Sequence, residues 1–356
     1  MDSSFELIRE LTEASGISGY EREVRDIIRR NLSGIADMEQ DGLGSIICRK
    51  QGDSETPRIM LAGHMDEVGF IVKLITDEGF LRFSPVGGWW GHVILAQRVL
   101  VKSRTGDFMG LIGSKPPHIL NEEERKKLQE PKDMYIDVGA TSAEEVKALG
   151  IRPGDPVIPI CPFTALGTGK TFMGKAFDDR VGCAIMIDVM KGLVGKRHPN
   201  TVYAAGTVQE EVGLRGARTS SWLVEPDVGL TMEIAVAGDV PGIKKEEAQA
   251  GLGKGPVILI HDGSMIPNLK LRDLFIDTAE ELKIPYQLDV MEKGGTDSGA
   301  IHLHRRGVPS LVIGVPTRHI HSHAGIIHQE DYTHAVELVS AVVRRLDAAT
   351  VAGLVD

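Results

Sequence analysis

Cysteine is scarce in this chain: Cys48, Cys161 and Cys183 are the only three in 356 residues, and no two stand close together. An odd, scattered set excludes a disulfide framework and a cysteine-rich zinc knuckle, which need paired or closely spaced thiols. It fits a reducing compartment. Aromatic residues are only 5% of the chain, and no run of about 18 apolar residues occurs, so no segment reads as a membrane-spanning helix. Positive charge is short as well, with 40 Lys and Arg against 50 Asp and Glu and a formal net charge of −10. A nucleic-acid or phosphate surface would need a local basic patch against that field, and the sequence has none. The densest charged run, Glu122-Glu123-Glu124-Arg125-Lys126-Lys127, is mixed in sign and reads as a solvated helix face. The start, Met1-Asp2-Ser3-Ser4-Phe5-Glu6, shows neither the basic nor the apolar region of a signal peptide. The expectation is a cytoplasmic protein with no nucleic-acid or membrane partner.

What is present is the composition of a globular chain, 42% apolar and 25% charged, long enough to bury one large core and a smaller one. Apolar spacing predicts helices over Ser4 to Ala14, Glu21 to Leu32, Arg180 to Leu193, Leu269 to Leu282 and Tyr332 to Ala348. Short apolar runs predict strands at Ser45 to Cys48, Arg58 to Ala62, Val202 to Val208, Val228 to Ala235, Val257 to Ile260, Gln287 to Met291 and Ser310 to Val315. From Val68 to about Pro162 the texture is different. Short β-type runs there are separated by turn residues such as Asp77-Glu78-Gly79 and Pro85-Val86-Gly87-Gly88. Alternating strands and helices favour a sheet covered on both faces. The fold class expected is therefore α/β: a mixed sheet flanked by helices, made of residues 1–67 plus 165–356, with a small β-barrel-like domain inserted at 68–164.

Five polar clusters stand at the ends of apolar runs: Gly63-His64-Met65-Asp66, Phe177-Asp178-Asp179-Arg180, Gln209-Glu210-Glu211, Glu233 and His319-Ile320-His321-Ser322. In open α/β sheets ligands bind beyond the carboxyl ends of the strands, where distant clusters converge. Imidazoles with carboxylates form a nitrogen and oxygen donor set suited to Zn²⁺, Co²⁺ or Mn²⁺, without the thiolates of a structural zinc site. Two metals about 3.5–4 Å apart need a bridging carboxylate, for which Asp178 is the candidate. Side chains two apart on an extended segment share a face, so Asp66 is placed to accept the second N–H of His64. Consecutive acids at a strand end point apart, which lets one of Glu210 and Glu211 bind metal while the other takes a proton from water. Plainer readings stand beside these. His64 and Asp66 also fit an exposed capping pair, Asp178-Asp179 a helix N-cap, and Glu210-Glu211 a solvated strand end. Glu233 inside an apolar run is harder to dismiss, because an unpaired buried carboxylate is costly. Spacing does not select His321 among His302, His304, His319, His323 and His328.

With these motifs in order, the sequence resembles the M42 family of metallo-aminopeptidases, which includes glutamyl and leucyl aminopeptidases and the tetrahedral TET peptidases. The resemblance is carried by Ala62-Gly63-His64-Met65-Asp66-Glu67-Val68-Gly69, Lys175-Ala176-Phe177-Asp178-Asp179-Arg180, Val208-Gln209-Glu210-Glu211-Val212-Gly213, Ala237-Gly238-Asp239-Val240-Pro241-Gly242, Gly294-Gly295-Thr296-Asp297 and Gly314 to Ser322. It implies His64 and His321 as terminal imidazole ligands, Asp178 as the bridge, Glu211 and Glu233 as the remaining ligands, Glu210 as general base and Asp66 as the partner of His64. It further implies two divalent ions per subunit, Zn or Co with Mn also accommodated. Short peptides would be the substrate, the inserted domain would serve dimerisation, and the assembly would be a dimer or a tetrahedral dodecamer. Glu233 departs from the family's usual Asp in a Leu-Asp-Val context; here the context is Met232-Glu233-Ile234, one methylene longer. His319 stands where relatives often carry an aromatic residue, and the Ile-His-Ser context assigns the ligand to His321. The expected reaction is hydrolysis of the N-terminal residue from peptides. Its rivals are a glycosidase using two carboxylates, a deacylase of small N-acyl amines with the same metal centre, and a catalytically dead shell protein.

Overall fold

The computed structural model describes residues 3–355. Its centre is a large mixed sheet in which the strands Thr201–Thr207, Arg58–His64, Val228–Val236 and Ser310–Arg318 lie side by side and parallel. The strands Ile46–Gln51 and Asp37–Gln40 extend it antiparallel on one side. Gly325–His328, Thr171–Gly174 and Thr164–Ala165 extend it on the other. Val257–Asp262 and Gln287–Met291 branch from Ser310–Arg318. The central strands are buried on both faces and read as continuous apolar runs, as parallel strands covered by helices do.

The helix Phe177–Gly192 is apolar almost all round and lies in the middle of the core, so it needs a covering on every side. The helix Ser3–Glu13 supplies one by burying Phe5, Leu7, Ile8 and Leu11. Each such side chain contributes about 1.5–3 kcal/mol. The helices Arg22–Leu32 and Gln329–Val343 cover other faces, with Val24, Ile27, Ile28 and Leu32 buried on the first. Strand and helix meet closely at Gly63, where a Cβ would come within 2.7 Å of the Gly182 carbonyl carbon and 2.8 Å of the Cys183 nitrogen. Only glycine permits that approach, and it brings the end of Arg58–His64 against the start of Phe177–Gly192.

Between these halves of the sheet the chain closes a six-stranded barrel from Gly69–Ile75, Leu81–Val86, Tyr135–Asp137, Asp107–Gly113, Arg98–Lys102 and Pro156–Pro159. It has its own core of Phe70, Val72, Leu81, Phe83, Val99, Val101, Ile112, Ile136 and Val157. Closure leaves no free strand edge. Both expected architectural parts, the mixed sheet with flanking helices and the small barrel, are present.

The differences lie at edges and breaks. The helix expected from Tyr332 to Ala348 ends at Val343, and a separate helix Ala348–Gly353 starts where the Asp347 carboxylate accepts the Thr350 N–H at 2.8 Å. The helix Arg215–Val224 is absent from the sequence reading because its buried face is built from Gly216, Ala217, Ser220 and Ser221 with only Val224 as a larger apolar residue. The strands Asp37–Gln40, Thr171–Gly174 and Gly325–His328 were also not foreseen; four residues each are too few for a periodic signal. Among the described residues no helix is long and apolar enough to cross a membrane.

Candidate metal centre

The parallel register sets the polar clusters at one end of the sheet. Thr207 pairs with His64, the last residue of its strand, and Gln209-Glu210-Glu211 follow immediately. Glu233 pairs with Gly314 near the end of the next parallel pair, and His321 comes three residues after Arg318 ends its strand. Asp178 enters from the start of the helix packed beneath, where Asp178 and Asp179 depart from helical dihedrals. A cleft of about 640 Å³ is lined by His64, Asp178, Glu210, Glu211, Glu233 and His321, with Leu214, Ile234, Val236 and Met291 as its apolar side.

Asp178 stands between the two imidazoles. Its Oδ1 is 3.0 Å from His64 Nε2 and its Oδ2 is 3.4 Å from His321 Nε2. Glu211 Oε2 lies 3.8 Å from His321 Nε2. On the other side Glu233 Oε2 lies 4.0 Å and Glu210 Oε2 3.8 Å from His64 Nε2. The opposite ring nitrogens are fixed by main-chain carbonyls, which only accept, so each ring carries a proton there and turns Nε2 to the cluster. For His64 the acceptor is the Asp66 carbonyl at 2.9 Å; for His321 it is the Gly88 carbonyl, 2.8 Å away and contributed by the barrel side of the chain. A Cβ on Gly88 would meet His321 Nδ1 at 2.9 Å.

Asp66 holds a different contact from the one expected. Its carboxylate is 3.6 Å from His64 Nδ1, farther than its own carbonyl. The carboxylate instead accepts the backbone N–H groups of Glu210 (2.9 Å) and Glu211 (3.1 Å) and the Ser18 hydroxyl (2.6 Å). The Asp66 carbonyl thus serves the His64 ring while its carboxylate serves the loop that carries Glu210 and Glu211.

The donor set fits divalent cations. Ligand atoms of His64, Asp178 and Glu211 lie within 4.8 Å of one another, as do those of His64, Asp179 and Glu233. Asp179 is less available than this proximity implies, since its two oxygens accept the His64 and Gly182 backbone N–H groups at 3.0 Å each. It ties strand to helix. Without a cation the crowded acids hold protons. Burial, then the charge of Asp178, pushes Glu211 up to about 8. Burial, then neighbouring carboxylates (Asp297 and Glu211 for Glu210, Asp179 and Asp178 for Glu233), raises the other two well above the usual range. Asp178 runs the other way: burial opposes its charge, but hydrogen bonds from His321 and His64 hold its carboxyl below the ordinary range. The hydrogen bond to Asp178 leads in lifting His321 to about 9. Burial disfavours a charged His64, yet Glu210, Asp178 and Asp66 overcome it and raise its pKa. Protons held by mutual repulsion among acids are the ones a cation displaces. His323, two residues from His321, is instead buried against Trp89, and burial pushes it down to about 4, so it stays neutral.

Beneath the cleft lies a buried charged cluster that sequence reasoning missed. Glu67 accepts from Lys175 at 2.6 Å and from Arg180 at 3.2 Å. Arg180 also donates to the carbonyls of Leu11, Ala14 and Gly16. These contacts cross more than 100 residues of sequence, and only the adjacency of Glu67 and Arg180 to ligand motifs hinted at them. Asp297, from the Gly294-Gly295-Thr296-Asp297 motif, is also buried and accepts the Thr207 hydroxyl behind the strand end.

Known proteins share this fold. The chain superposes on the TET aminopeptidase of a marine sediment archaeon of the Thaumarchaeota with a TM-score of 0.97, at 49% identity over 99% of each chain. The glutamyl aminopeptidase of Lactococcus lactis subsp. cremoris (strain MG1363) is 36% identical over 352 residues, 98% of each chain. The Pyrococcus horikoshii TET1 peptidase, described as able to assemble into a tetrahedron or a large octahedral shell, gives a TM-score of 0.86 at 34% identity, covering 97% of this chain and 100% of that one. Residues 44–338 match the model of the M42 glutamyl aminopeptidases. The chain belongs to the M42 glutamyl aminopeptidase family.

Proposed function

We propose that the protein removes the N-terminal residue from short peptides, with two divalent cations held by His64, Asp178, Glu211, Glu233 and His321 and with Glu210 as general base. The observation that carries this reading is the placement of Asp178, whose two oxygens face two different imidazoles at 3.0 and 3.4 Å while Glu210 stands 3.8 Å from one of them. A pair of cations there, zinc or cobalt with manganese as a third choice, supplies Lewis acidity toward the scissile carbonyl and lowers the pKa of water. Glu210, 3.8 Å from His64 Nε2, takes a proton from the attacking water and returns it to the leaving amine. Asp66 holds the Glu210 and Glu211 backbone so that the two adjacent carboxylates diverge. The carboxylate-rich side of the cleft is the place for the substrate's α-ammonium, which favours a free amino terminus over an internal bond.

The reading extends to assembly and location. Trp90, Met109, Leu111 and Ile119 leave large apolar surface exposed on the barrel and its loops, as a subunit contact would. With the assembly described for the P. horikoshii relative, this supports a homo-oligomer, a dimer or a tetrahedral dodecamer, with the segment 68–164 as the dimerisation domain. Three unpaired thiols favour the cytoplasm.

The test is an assay of aminoacyl-nitroanilides against their N-acetyl counterparts, before and after exhaustive chelation and with zinc or cobalt restored, alongside a mass measurement of the assembly. Free-amine substrates are cleaved, acetylated ones are not, and chelation abolishes turnover until metal returns. Preference for the acetylated series would make the protein a deacylase, and turnover that survives chelation would remove the metals from the reading.

A further inference from the structure

The loop Gln209-Glu210-Glu211 carries both the proposed base and a proposed ligand, yet the parallel ladder that would fix it ends at Thr207. Gln209 lies at φ 56°, in the left-handed region, which a non-glycine residue occupies at a cost of about 1 kcal/mol or more. Something must hold it. Each of the three successive backbone N–H groups in this loop is bound to a carboxylate from a remote part of the chain. Glu210 and Glu211 donate to the two oxygens of Asp66 at 2.9 and 3.1 Å, and Gln209 donates to Glu21 Oε1 at 3.1 Å. Glu21 is 188 residues away in sequence, 4% exposed, and positioned just before the helix Arg22–Leu32. The same oxygen accepts the Gly19 N–H at 2.7 Å, while Ser18 of the same turn donates its hydroxyl to Asp66 at 2.6 Å. The turn from Ser18 to Glu21 and the Asp66 carboxylate therefore grip the loop from below as one unit. A second acid buried here is costly: burial first, then the charge of Asp66, pushes Glu21 up to about 6. A side chain kept at that cost is better explained by what it positions than by stability.

We propose that Glu21 is a positioning residue for the hydrolysis, holding Gln209 in its left-handed turn so that Glu210 faces the reacting water and Glu211 faces away from it. The inference rests on the reading of Glu210 and Glu211 given above. Glu21 touches neither substrate nor metal and acts through the backbone, so its effect falls on the placement of the base. Misplacing a catalytic group by about 1 Å costs on the order of a hundredfold in rate. The amide oxygen of Gln can accept the same two N–H bonds, whereas Asp withdraws the acceptor by one methylene and Ala removes it.

The experiment compares Glu21→Ala, Glu21→Asp and Glu21→Gln in the full-length, metal-loaded protein, with Glu210→Gln run alongside. Hydrogen exchange by mass spectrometry on the metal-free forms reads the peptide covering 205–214, and exchange of the barrel strands reports whether each variant is folded. Glu21→Ala and Glu21→Asp are expected to lose about 30- to 100-fold in kcat with KM within about threefold, and to exchange faster at 205–214. Glu21→Gln is expected to recover kcat to within about threefold of the parent and to restore protection. Should Glu21→Ala fail to fold, the Asp and Gln pair still decides the matter. Wild-type kcat in Glu21→Asp overturns the proposal, as does a Glu21→Gln that loses as much as Glu21→Asp. Failure of the parent reading has a different signature, since Glu210→Gln is then itself active; a fully active Glu21→Asp beside an inactive Glu210→Gln refutes the role of Glu21 alone.

Discussion

The side chains that line the cleft are aimed by groups whose importance no local pattern shows. His321 is turned by the carbonyl of Gly88, 233 residues earlier, and the ring packs so closely that no Cβ fits at that glycine. Gly88→Ala should therefore displace His321 and lower kcat/KM at least about tenfold, with weaker retention of metal on dialysis and an unchanged unfolding midpoint, because the ring moves while the core does not. Equal activity and metal content in that variant would show that His321 is not held there. Of the residues that face the cleft, His64, Glu210 and Glu211 were legible as polar residues at the ends of apolar runs, His64 after Ile59-Met60-Leu61-Ala62 and Glu210 and Glu211 after Tyr203 to Val208, whereas only the family motif singles out His321 among its neighbouring histidines. Gly88 was read only as part of a turn, and Glu21 only as the opening of a helix. Their roles consist of contacts across 233 and 188 residues, which periodicity and propensity do not encode. Asp66 was found for its spacing from His64, but its carboxylate's bonds to the Glu210 and Glu211 backbone cross 144 and 145 residues and are tertiary contacts.

At the scale of elements, three pieces must stay in register for the site to exist: the end of Arg58–His64, the start of Phe177–Gly192 and the end of Ser3–Glu13. Arg180 joins all three, being fully buried, bonded to Glu67 and to the carbonyls of Leu11, Ala14 and Gly16. Replacing it with Met keeps the volume but leaves three carbonyls without this donor and Glu67 with Lys175 as its remaining cation. Removing one member of such a buried cluster costs about 3–5 kcal/mol. Arg180→Met should lower the free energy of unfolding in urea by about that much; a change under about 1 kcal/mol would show that the cluster is not a structural joint. The elements that carry these anchors were legible where they are long and strongly patterned, as with Arg22–Leu32 and the central strands. Arg215–Val224 was not, because a helix that buries serine and glycine has no apolar stripe. Short edge strands such as Thr171–Gly174 owe their existence to the neighbour they pair with, here Gly325–His328, and carry little signal alone.

For the molecule as a whole, the cluster of acids makes stability depend on what neutralises it. Glu211 moves from an ordinary 4.5 to about 8 and His321 from 6.5 to about 9 in the metal-free fold. Both shifts mean that the folded chain binds more protons than the unfolded chain between about pH 6.5 and 8, so the slope of unfolding free energy against pH is negative there. The His321 contribution is complete below 6.5 and is lost as pH rises through 9; the Glu211 penalty grows from 4.5 until it is full above 8. The chelated protein should accordingly show a falling Tm from pH 6.5 to 8.5. Zinc-saturated protein should not, since cations replace the departing protons and bind more tightly as they leave. Parallel Tm profiles with and without zinc would argue that these residues do not hold metal.

The most direct test of the account is turnover and metal content measured together for wild type and Glu210→Gln. In the proposed function Glu210, 3.8 Å from His64, is the base and not a ligand, so the variant should keep the wild-type metal content by elemental analysis, two ions per chain, while kcat for a free-amine aminoacyl-nitroanilide falls about a hundred- to ten-thousandfold. A Glu210→Gln enzyme that keeps its metals and turns over at the wild-type rate would contradict the account.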